Sequence, residues 1–332
     1  MTIRWGIIGC GDVVRKRVAA AIQADARSEL VAVCRRNQEQ LTRFVTDFHV
    51  AYGTTSAGEM IASPDIDAVY IATPVNLHRD QTVEAAAAGK HVLVEKPMAM
   101  TTAECDDMIA ACSEHNVRLG VAFYRPFYPV IQRMRELIES GDIGSVLSVS
   151  AVTATPFAIP PGEDGYWRVI PELGGGGALM DIGSHRLDLF LRLFGPIAGT
   201  RPEDDGRGVK AFCGTVAADY QADDVAHVLV QFESGIHGSL QCSFGPCVDP
   251  DEFTILGTRG RLVSRPLNRG ELLIERGSEQ IVEQHPPSTN FNAPLIADFV
   301  SAIIAERPPF VPGEQGRDVN RIMELAYASS RS

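Results

Sequence analysis

The first candidate functional residue in this chain is a lysine that lies between a glutamate and a proline. Glu95, Lys96 and Pro97 follow the apolar run of residues 92–94. Proline fixes its own φ and favours an extended conformation in the residue before it, so Lys96 is held stiffly where a strand ends. Ligands bind at that end of an open α/β sheet. For a Glu-Lys-Pro sequence taken alone, the simpler interpretation is a turn at the protein surface. The sequence is compatible with either direction of the Glu95 carboxylate, towards or away from the Lys96 ammonium group.

A carboxylate and an imidazole form the second candidate. Asp181 and His185 lie four residues apart, after four glycines at residues 174–177, in a run predicted to be helical to about Phe194. On a helix this spacing makes them neighbours on one face. A carboxylate beside an imidazole orients the ring and raises its basicity, which suits a general base for an alcohol proton. The alternative is an acidic residue favoured by the helix dipole and a histidine that merely follows it.

Metal binding by the same pair is less favoured. The sequence offers no obvious third ligand and contains no His-Glu-x-x-His motif. We therefore expect no metal site.

The composition limits the classes of function. A chain of 332 residues is too long for one ordinary core, and about 150 residues per domain gives two domains. Charged residues at 22% and hydrophobic residues at 45% are typical of a soluble globular protein. The formal net charge of −12 argues against nucleic acid as the main partner, because phosphate binding requires a positive field.

The cysteines and the amino-terminal residues of the sequence both bear on the cellular compartment of the protein. Seven cysteines are an odd number and include no Cys-x-x-Cys pair, so reduced thiols in a cytoplasmic protein are the simplest interpretation. The residues from Met1 to Trp5 enter a predicted strand at once, without the basic and apolar regions of a signal peptide. No apolar run approaches the length that crosses a membrane, so we expect no membrane partner. The cysteines are Cys10, Cys34, Cys105, Cys112, Cys213, Cys242 and Cys247.

Hydrophobic periodicity in the first half alternates between strand and helix. The run from Ile3 to Ile8 predicts a strand, and Gly9 and Gly11 separate it from a helical pattern that contains Val14. The glycines let the backbone approach a pyrophosphate, and the helix amino end supplies N–H groups and a positive dipole end. Val14 stands where the dinucleotide fingerprint usually has glycine or alanine, so helix and strand are expected to pack less closely.

The end of the second predicted strand, Glu29 to Cys34, bears on the choice of cofactor. Dinucleotide folds that prefer NAD usually place an acidic side chain here to hold the ribose 2′-hydroxyl. This chain has Arg35 and Arg36 instead. Two guanidinium groups suit a 2′-phosphate, so NADP is the preferred cofactor and NAD the alternative. Both arginines could equally be solvated turn residues.

The rest of the first half predicts further strand and helix units. Units of this length imply a parallel sheet with right-handed crossovers. They are a strand from Asp67 to Ala72, a helix that opens at Thr73 and ends at Gly89, a strand from His91 to Glu95, a helix from Thr101 to Glu114 with Thr101 as its N-cap, and a strand from Arg118 to Ala122.

The second half changes to alternating strands. A helix is predicted from Pro129 to Ile138 and a turn at residues 141–144, after which apolar and polar residues alternate. This period of two predicts an antiparallel sheet with one face covered by helices. The other face is polar without strong charge, so it is either solvated or paired with another subunit. The apolar positions are Leu147, Val149 and Ala151, then Ala226, Val228, Val230 and Phe232, then Leu240, Cys242 and Phe244.

Four motifs occur along the chain in a characteristic order and spacing, namely Gly9-x-Gly11, Thr73-Pro74-x-x-x-His78, Glu95-Lys96-Pro97 and the stretch from Gly174 to Asp188. Together they resemble one protein family, that of glucose-fructose oxidoreductase, inositol dehydrogenase and the rhizopine catabolism protein (Gfo/Idh/MocA). The likeness covers essentially the whole chain, including closing helices around residues 299–327. It implies an α/β Rossmann domain with a doubly wound parallel sheet at residues 1–122. An α+β domain with a large, mostly antiparallel open sheet is expected at residues 123–332, with C-terminal helices that pack back on the first domain.

The resemblance also implies roles for individual residues. It assigns Lys96, Asp181 and His185 to catalysis. The substrate candidates are these three residues together with Arg125, Tyr166, Trp167 and Arg168. The cofactor contacts that it implies are Gly9, Gly11, Asp12, Val13, Arg35, Arg36, Thr73, Pro74, Asn76, His78, Glu95, Lys96 and Arg125.

The implied reaction is reversible hydride transfer between NAD(P) and a secondary alcohol of a sugar, cyclitol or related polyol. His185 takes the hydroxyl proton, or exchanges it with Lys96, while Lys96 holds the developing alkoxide. A homodimer or homotetramer through the antiparallel sheet is also implied. Two alternatives stay open, a redox-assisted glycosidase with a tightly held cofactor and a non-catalytic NAD(P)-binding sensor. The sensor is less favoured, because a binding module has no need of both Lys96 and His185.

Overall fold

The computed structural model describes residues 1–201, 204–245 and 248–331. Within those residues the strands form two sheets, one of six strands and one of eight. The chain divides into two compact units. The first unit contains Met1–Tyr124 and Asn290–Asn320, and the second contains Arg125–Thr289 and the chain from Arg321 onward. The sequence analysis placed a single boundary after residue 122.

The first unit alternates strands and helices. Each strand predicted there is present within one residue of its expected bounds, and Thr101 accepts the Glu104 amide as the predicted N-cap. No element was predicted between residues 38 and 61, where two helices flank a strand of only three residues. The strands are β1 Ile3–Ile8, β2 Ser28–Cys34, β3 Tyr52–Thr54, β4 Ala68–Ile71, β5 His91–Val94 and β6 Leu119–Val121. The helices are α1 Ala19–Ala24, α2 Gln38–Phe48, α3 Ala57–Ile61, α4 His78–Ala87 and α5 Thr102–Glu114.

The strand order of the first sheet locates its ligand crevice. The order is β3-β2-β1-β4-β5-β6, and every neighbouring pair is parallel. The order reverses between β1 and β4, so the carboxyl ends of these two strands flank the switch point where open α/β sheets bind ligands. Trp5 on β1 and Tyr70 on β4 are completely buried and anchor this part of the core. The predicted doubly wound parallel sheet is confirmed.

The second unit is built on the larger sheet. Its strand order is β14-β13-β12-β11-β7-β10-β9-β8, antiparallel except where β10 runs parallel to β7. The predicted mostly antiparallel open sheet is therefore confirmed. The strands are β7 Val146–Thr155, β8 Val209–Gly214, β9 Val225–Gln231, β10 His237–Phe244, β11 Asp251–Gly257, β12 Arg261–Ser264, β13 Glu271–Arg276 and β14 Glu279–Gln284. The helices are α6 Pro129–Glu139, α7 Pro171–Gly174 and α8 Ser184–Phe194.

Alternation along the central strands of this sheet separates a buried face from an exposed one. The predicted apolar positions of β9 and β10 are buried, with Leu240 and Cys242 at 2% and 0% exposure. On β7 the prediction was wrong at one position, because Leu147 is 51% exposed although Val149 and Ala151 are buried. Leu147 is the second residue of its strand, so the alternating pattern continues beyond the part of the sheet that is covered.

Two helices close the chain, as predicted. They are α9 Ala293–Ile304 and α10 Gly313–Arg331. Within the first unit, the ring of Phe299 on α9 lies 5.7 Å from that of Trp5. Asn320 on α10 donates its side-chain amide to the Ala99 carbonyl at 2.6 Å. Throughout the described ranges, no helix combines the length and apolar character that crossing a bilayer requires.

The six described cysteines carry thiols rather than disulfides, as predicted. Burial raises the pKa of Cys112 and of Cys213 to about 12, so these thiols are poor nucleophiles near neutral pH. Cys247, the seventh cysteine, lies outside the described residues.

Candidate active site

The turn after β1 is built around two glycines. Gly9 has a φ of 94°, and a Cβ there would lie 2.5 Å from the carbonyl oxygen of Ala72, just after β4. Around Gly11, no heavy atom other than its chain neighbours lies within 4 Å of the place of a Cβ. The first glycine is required by the protein's own backbone, whereas the second leaves the turn open to a ligand. This arrangement at the switch point fits a pyrophosphate group.

The helix after the glycine turn contains a wide π turn close to its start. The π turn covers Val14–Val18 and continues directly into α1. The backbone amide of Arg15 donates to the Gly11 carbonyl at 3.0 Å. Asp12 and Val13 lie between these two residues, in the first turn of the helix. Amides in that position have no acceptor within the helix and can donate to an anion. Asp12 and Val13, two of the predicted cofactor contacts, therefore have backbone amides in a position that suits an anion.

The two arginines after β2 occupy different surroundings. The Arg35 guanidinium donates to the carbonyl of Cys10, inside the glycine turn, and the Arg35 amide donates to Thr54 at 3.1 Å. Arg36 is exposed. Burial raises the pKa of the Cys10 thiol to about 12, and the nearby Arg35 charge acts in the opposite direction. Arg35 thus supports the turn itself, which the sequence did not indicate, whereas Arg36 is directed to the surface.

The loop after β4 contains three of the predicted cofactor contacts. Thr73 donates its hydroxyl to the Gln81 side-chain oxygen at 2.7 Å. Pro74 precedes the 3-10 turn Val75–Leu77, in which Asn76 is exposed. The loop therefore has one end fixed to α4 and one amide side chain available to a ligand.

His78 joins this loop to the loop after β5. Its ring is 1% exposed, with Nε2 2.9 Å from the Thr73 carbonyl and Nδ1 3.2 Å from the carbonyls of Pro97 and Met98. Burial lowers the pKa of the His78 imidazole, and the three carbonyls act in the opposite direction. Because both ring nitrogens face backbone carbonyls, His78 holds the two loops together at the strand ends. The cofactor contact predicted for His78 would act through this support.

The structure shows where Glu95 points. Its Oε1 accepts the Tyr70 hydroxyl at 2.7 Å, and its Oε2 accepts the backbone amide of Lys96 at 3.1 Å. Burial first, and the Glu95 carboxylate second, raise the pKa of Tyr70 well above its ordinary value, so the phenol remains a donor. The Lys96–Pro97 peptide bond is cis. Glu95 therefore orders the backbone of the Glu-Lys-Pro stretch through a hydrogen bond to β4.

Arg125 is anchored within the second unit. Its Nη1 donates to Asn268 at 2.8 Å and lies 3.8 Å from an Asp251 carboxylate oxygen. The same Asp251 carboxylate accepts the backbone amide of Asn268 at 2.9 Å and forms an ion pair with the completely buried Arg186. Arg125 was predicted to contact both cofactor and substrate, and in the structure this anchor fixes where its guanidinium lies.

The predicted helix carrying Asp181 and His185 is present and ends at Phe194. It starts with a π turn, Leu179–Gly183, and continues as α8. Asp181 lies inside the π turn and His185 is the second residue of α8, so a wider turn than that of an α-helix separates them. His185 is 5% exposed. The Asp181 carboxylate lies 3.8 Å from the Arg168 Nε, which brings two predicted site residues together.

The Tyr166-Trp167-Arg168 motif forms a short 3-10 helix, Tyr166–Val169. The Arg168 guanidinium lies over the Trp167 ring, 5.1 Å from its centroid, and Nη1 donates to the Gly165 carbonyl at 3.3 Å. A guanidinium held against an indole face is a cation–π contact, and it restricts both side chains. Arg168 thereby links this loop to Asp181.

Asp223 is a residue of this region that the sequence analysis missed. It is buried directly before β9, and its carboxylate accepts the amides of Gly177 and Leu179 and the hydroxyl of Tyr327. The available signal was a pair of acidic residues, 223 and 224, immediately before an alternating apolar strand. The four glycines of residues 174–177 are consequently a tightly packed entry to the helix.

Two successive family models match the chain. The model described as "Oxidoreductase family, NAD-binding Rossmann fold" matches residues 3–123, and the one described as "GFO/IDH/MocA C-terminal domain" matches residues 131–263. The chain belongs to the Gfo/Idh/MocA oxidoreductase family. The resemblance inferred from the four motifs is confirmed.

This Gfo/Idh/MocA oxidoreductase is similar to several other oxidoreductases. It is 36% identical over 263 residues to oxidoreductase P35 of Formosa agariphila, covering 78% of each chain. It is 30% identical over 319 residues to 1,5-anhydro-D-fructose reductase of Ensifer adhaerens, covering 94% of this chain and 92% of the relative. The crystal structure of aldose-aldose oxidoreductase from Caulobacter crescentus, complexed with glycerol, matches with a TM-score of 0.88 at 26% identity, covering 100% of this chain and 98% of that one.

Membership of the Gfo/Idh/MocA family identifies the ligand of the first unit. The protein is an NAD(P)-dependent oxidoreductase, and its glycine turn, with the open backbone at Gly11 and the helix start behind it, fits the pyrophosphate of that dinucleotide. Lys96 belongs to the first unit, whereas Asp181 and His185 belong to the second.

Proposed function

We propose that the protein transfers a hydride reversibly between NADP and a secondary alcohol of a sugar, cyclitol or related polyol. The observation that carries the proposal is the joint presence of Lys96 at the carboxyl end of β5 and of Asp181 and His185 in one helix. A sensor has no need of both Lys96 and His185. The relatives that act on 1,5-anhydro-D-fructose and on aldoses support a sugar as the substrate class.

In this proposal, residues of the chain transfer the proton and stabilise the charge on the reacting oxygen. The nicotinamide, when bound, accepts or supplies the hydride. Lys96 donates a hydrogen bond to the reacting oxygen and stabilises negative charge that develops there. His185 takes the hydroxyl proton, directly or through Lys96, and Asp181 orients the ring. Arg168, 3.8 Å from Asp181, keeps that carboxylate in place and connects it to the Trp167 loop, where a sugar's C–H face can pack.

NADP is proposed over NAD because of the charge at the end of β2. Arg36 is exposed there and Arg35 lies against the glycine turn, and neither position holds the acidic side chain that binds a 2′-hydroxyl. Guanidinium groups pair with phosphate through charge-assisted hydrogen bonds. NAD remains the alternative cofactor.

We also propose a homodimer or homotetramer that forms through the open face of the larger sheet. On this face Leu229 is 61% exposed and Phe212 is 83% exposed, and their cross-strand neighbours include His227 and Lys210. Exposed apolar side chains on a regular sheet surface are typical of an interface. A cytoplasmic location is proposed from the reduced cysteines.

A substrate panel tests the function. Sugars, cyclitols and sugar acids are incubated with the purified protein and either NADP or NAD, and nicotinamide absorbance is followed. Turnover of at least one sugar or cyclitol with a change in absorbance is expected. Sugar hydrolysis without a net absorbance change, together with cofactor that survives purification, would identify the redox-assisted glycosidase instead. No turnover of any compound, with cofactor still bound, would favour the sensor.

A further inference from the structure

A buried carboxylate fixes the start of the helix that carries Asp181 and His185. Asp223 is 7% exposed, and its Oδ1 accepts the Gly177 amide at 2.7 Å while its Oδ2 accepts the Leu179 amide at 2.9 Å. The backbone carbonyl of Asp223 accepts the intervening amide, that of Ala178, at 2.9 Å. One residue thus satisfies three consecutive amides at a helix start, where helices lack internal acceptors.

Tyr327 completes this arrangement from the C-terminal helix α10. Its hydroxyl donates to the Asp223 Oδ1 at 2.7 Å. Burial, followed by the charge of Asp223, raises the pKa of Tyr327 well above its ordinary value, so the phenol stays protonated and continues to donate. Both oxygens of the Asp223 carboxylate are therefore committed to hydrogen bonds within the second unit.

The glycine run is shaped to allow this close approach. A Cβ at Gly177 would collide with the backbone carbonyl of Asp223, and one at Gly176 would collide with the hydroxyl of Tyr327. A backbone carbonyl cannot move aside as a flexible side chain can. Two of the four glycines are therefore explained by contact with Asp223 and Tyr327.

The held segment leads directly to the proposed catalytic groups. The Asp181 amide donates to the Gly177 carbonyl at 2.9 Å, so the residue that Asp223 holds is also the first acceptor of this helix. The π turn Leu179–Gly183 and then His185 follow without a break. A rotation or shift at residues 177–179 would consequently be passed on to both side chains.

We infer that Asp223, together with Tyr327, is a positioning residue that sets the rotation of the Asp181 and His185 helix. The inference rests on the proposed function, because it assumes that these two side chains act on the substrate. Asp223 touches neither reacting atoms nor cofactor in this role. Misplacing a proton carrier by about 1 Å can cost ~100-fold in rate, so a cap that fixes the helix start has a direct effect on turnover.

The neighbouring residue supplies a matched control. Asp224 is 4% exposed, and its carboxylate accepts the amides of Val216, Ala217 and Ala218 at 2.7 to 2.8 Å. It therefore makes as many side-chain contacts as Asp223, but it holds the loop before β9 instead of the helix. Asp223→Asn and Asp224→Asn change the same atoms at adjacent positions, and Tyr327→Phe removes one donor with little risk to folding.

The test compares these three variants with the unmodified protein, each saturated with NADP. In Asp223→Asn, amide hydrogen exchange of residues 177–179 should accelerate at least tenfold, and Tyr327→Phe should show a smaller acceleration. The ring ¹⁵N resonances of His185, identified by their loss in His185→Asn, should move in both variants. With a sugar that gives turnover, kcat should fall tenfold or more in Asp223→Asn while the KM for NADP changes less than twofold. Asp224→Asn should accelerate exchange only at residues 216–218 and leave the His185 resonances in place.

Unchanged exchange at residues 177–179 in Asp223→Asn would overturn the inference, as would equal movement of the His185 resonances in Asp223→Asn and Asp224→Asn. Exchange and resonance positions require no turnover, so they decide about Asp223 independently of the substrate. The proposed function fails separately, if Lys96→Met and His185→Asn proteins retain full activity.

Discussion

The phenolic hydroxyl of Tyr70 donates to the Glu95 carboxylate at 2.7 Å, linking the middle of β4 to the residue before Lys96. The second carboxylate oxygen accepts the Lys96 amide at 3.1 Å. Because both oxygens of the Glu95 carboxylate accept a hydrogen bond, the carboxylate fixes the path of the backbone at Lys96, the residue that we propose stabilises the alkoxide. The conformation of the Glu-Lys-Pro stretch therefore depends on a neighbouring strand as well as on proline.

Tyr70→Phe should destabilise the first unit. It removes one hydrogen bond to a charged group, worth roughly 1.5 to 3 kcal/mol, and leaves a half-buried carboxylate oxygen without that donor. Urea unfolding can be followed by Trp5 fluorescence in a Trp167→Phe background, so that the signal reports the first unit. Tyr52→Phe, on the exposed strand β3 of the same unit, is the control and should unfold like the unmodified protein. Equal midpoints for Tyr70→Phe and the control would contradict the expectation.

Lys96→Met and His185→Asn should each lower kcat about a hundredfold or more, the usual scale for a positioned acid or base. NADP binding, measured by fluorescence titration, should hardly change, because we propose that the glycine turn holds the phosphates. Asp181→Asn should lower kcat less than His185→Asn does, and the double variant should be little worse than His185→Asn alone, because we propose that the two residues act as a unit. The exposed His115 at the end of α5 provides the control His115→Asn. Full activity of Lys96→Met would remove Lys96 from the mechanism.

The two arginines after β2 should respond differently to substitution. Arg36→Ala should raise the KM for NADP at least tenfold and hardly affect that for NAD, because it removes charge-assisted hydrogen bonds worth roughly 1.5 to 3 kcal/mol. Arg35→Ala should raise both constants, because Arg35 also donates to the Cys10 carbonyl in the glycine turn. Steady-state kinetics with each cofactor measure the difference. Arg43→Ala, on the exposed face of α2, should leave both constants unchanged. Equal effects of Arg36→Ala on the two cofactors would argue against a 2′-phosphate contact.

The ion pair between Arg133 on α6 and Glu283 on β14 should make the free energy of unfolding depend on pH in the acid range. Two hydrogen bonds, at 2.9 and 3.0 Å, lower the pKa of Glu283 from 4.5 to about 2. A lowered folded-state pKa stabilises the protein above the ordinary value of 4.5, and this contribution is lost as the pH falls from 4.5 towards 2. Glu283→Gln should therefore lower the urea midpoint at pH 7, and the difference should shrink steadily below pH 4.5.

Glu279, on the same strand, supplies the control for that measurement. Its side chain is 56% exposed and pairs with Arg276 at 3.0 Å, and exposed pairs contribute little. Glu279→Gln should have nearly the same midpoint as the unmodified protein at every pH. A Glu283→Gln effect that is the same at pH 7 and near pH 2 would show that packing, rather than charge, accounts for it.

Leu229→Asp should weaken association of the subunits. Leu229 lies on the open face of β9 between Lys210 and Ser239 of the neighbouring strands, and a buried carboxylate at a symmetric contact would be present twice. Light scattering across a concentration series measures the effect. Ile304→Asp, at an exposed position at the end of α9, is the control. An unmodified protein that is monomeric at every concentration would refute the assembly proposal.

The sequence by itself determined the features that depend on neighbouring residues. The bounds of β1, the N-cap at Thr101 and the buried face of β10 follow from side-chain period and local hydrogen bonds, which short segments carry whatever surrounds them. Local pattern was insufficient at Leu147, because burial depends on what covers a strand and not on the strand alone. It also gave no signal for β3, since three residues are too few to show a period.

Only the tertiary structure decided how the candidate site is held. The Glu95 carboxylate turns to Tyr70, Arg35 reaches Cys10, and His78 joins the loops after β4 and β5. Asp223 holds Gly177, 46 residues earlier in the chain. Each of these contacts pairs a side chain with a group brought near by the order of strands or by helix packing. No periodicity within either segment encodes such a partner, because buried polar groups take whichever donors and acceptors the fold places beside them.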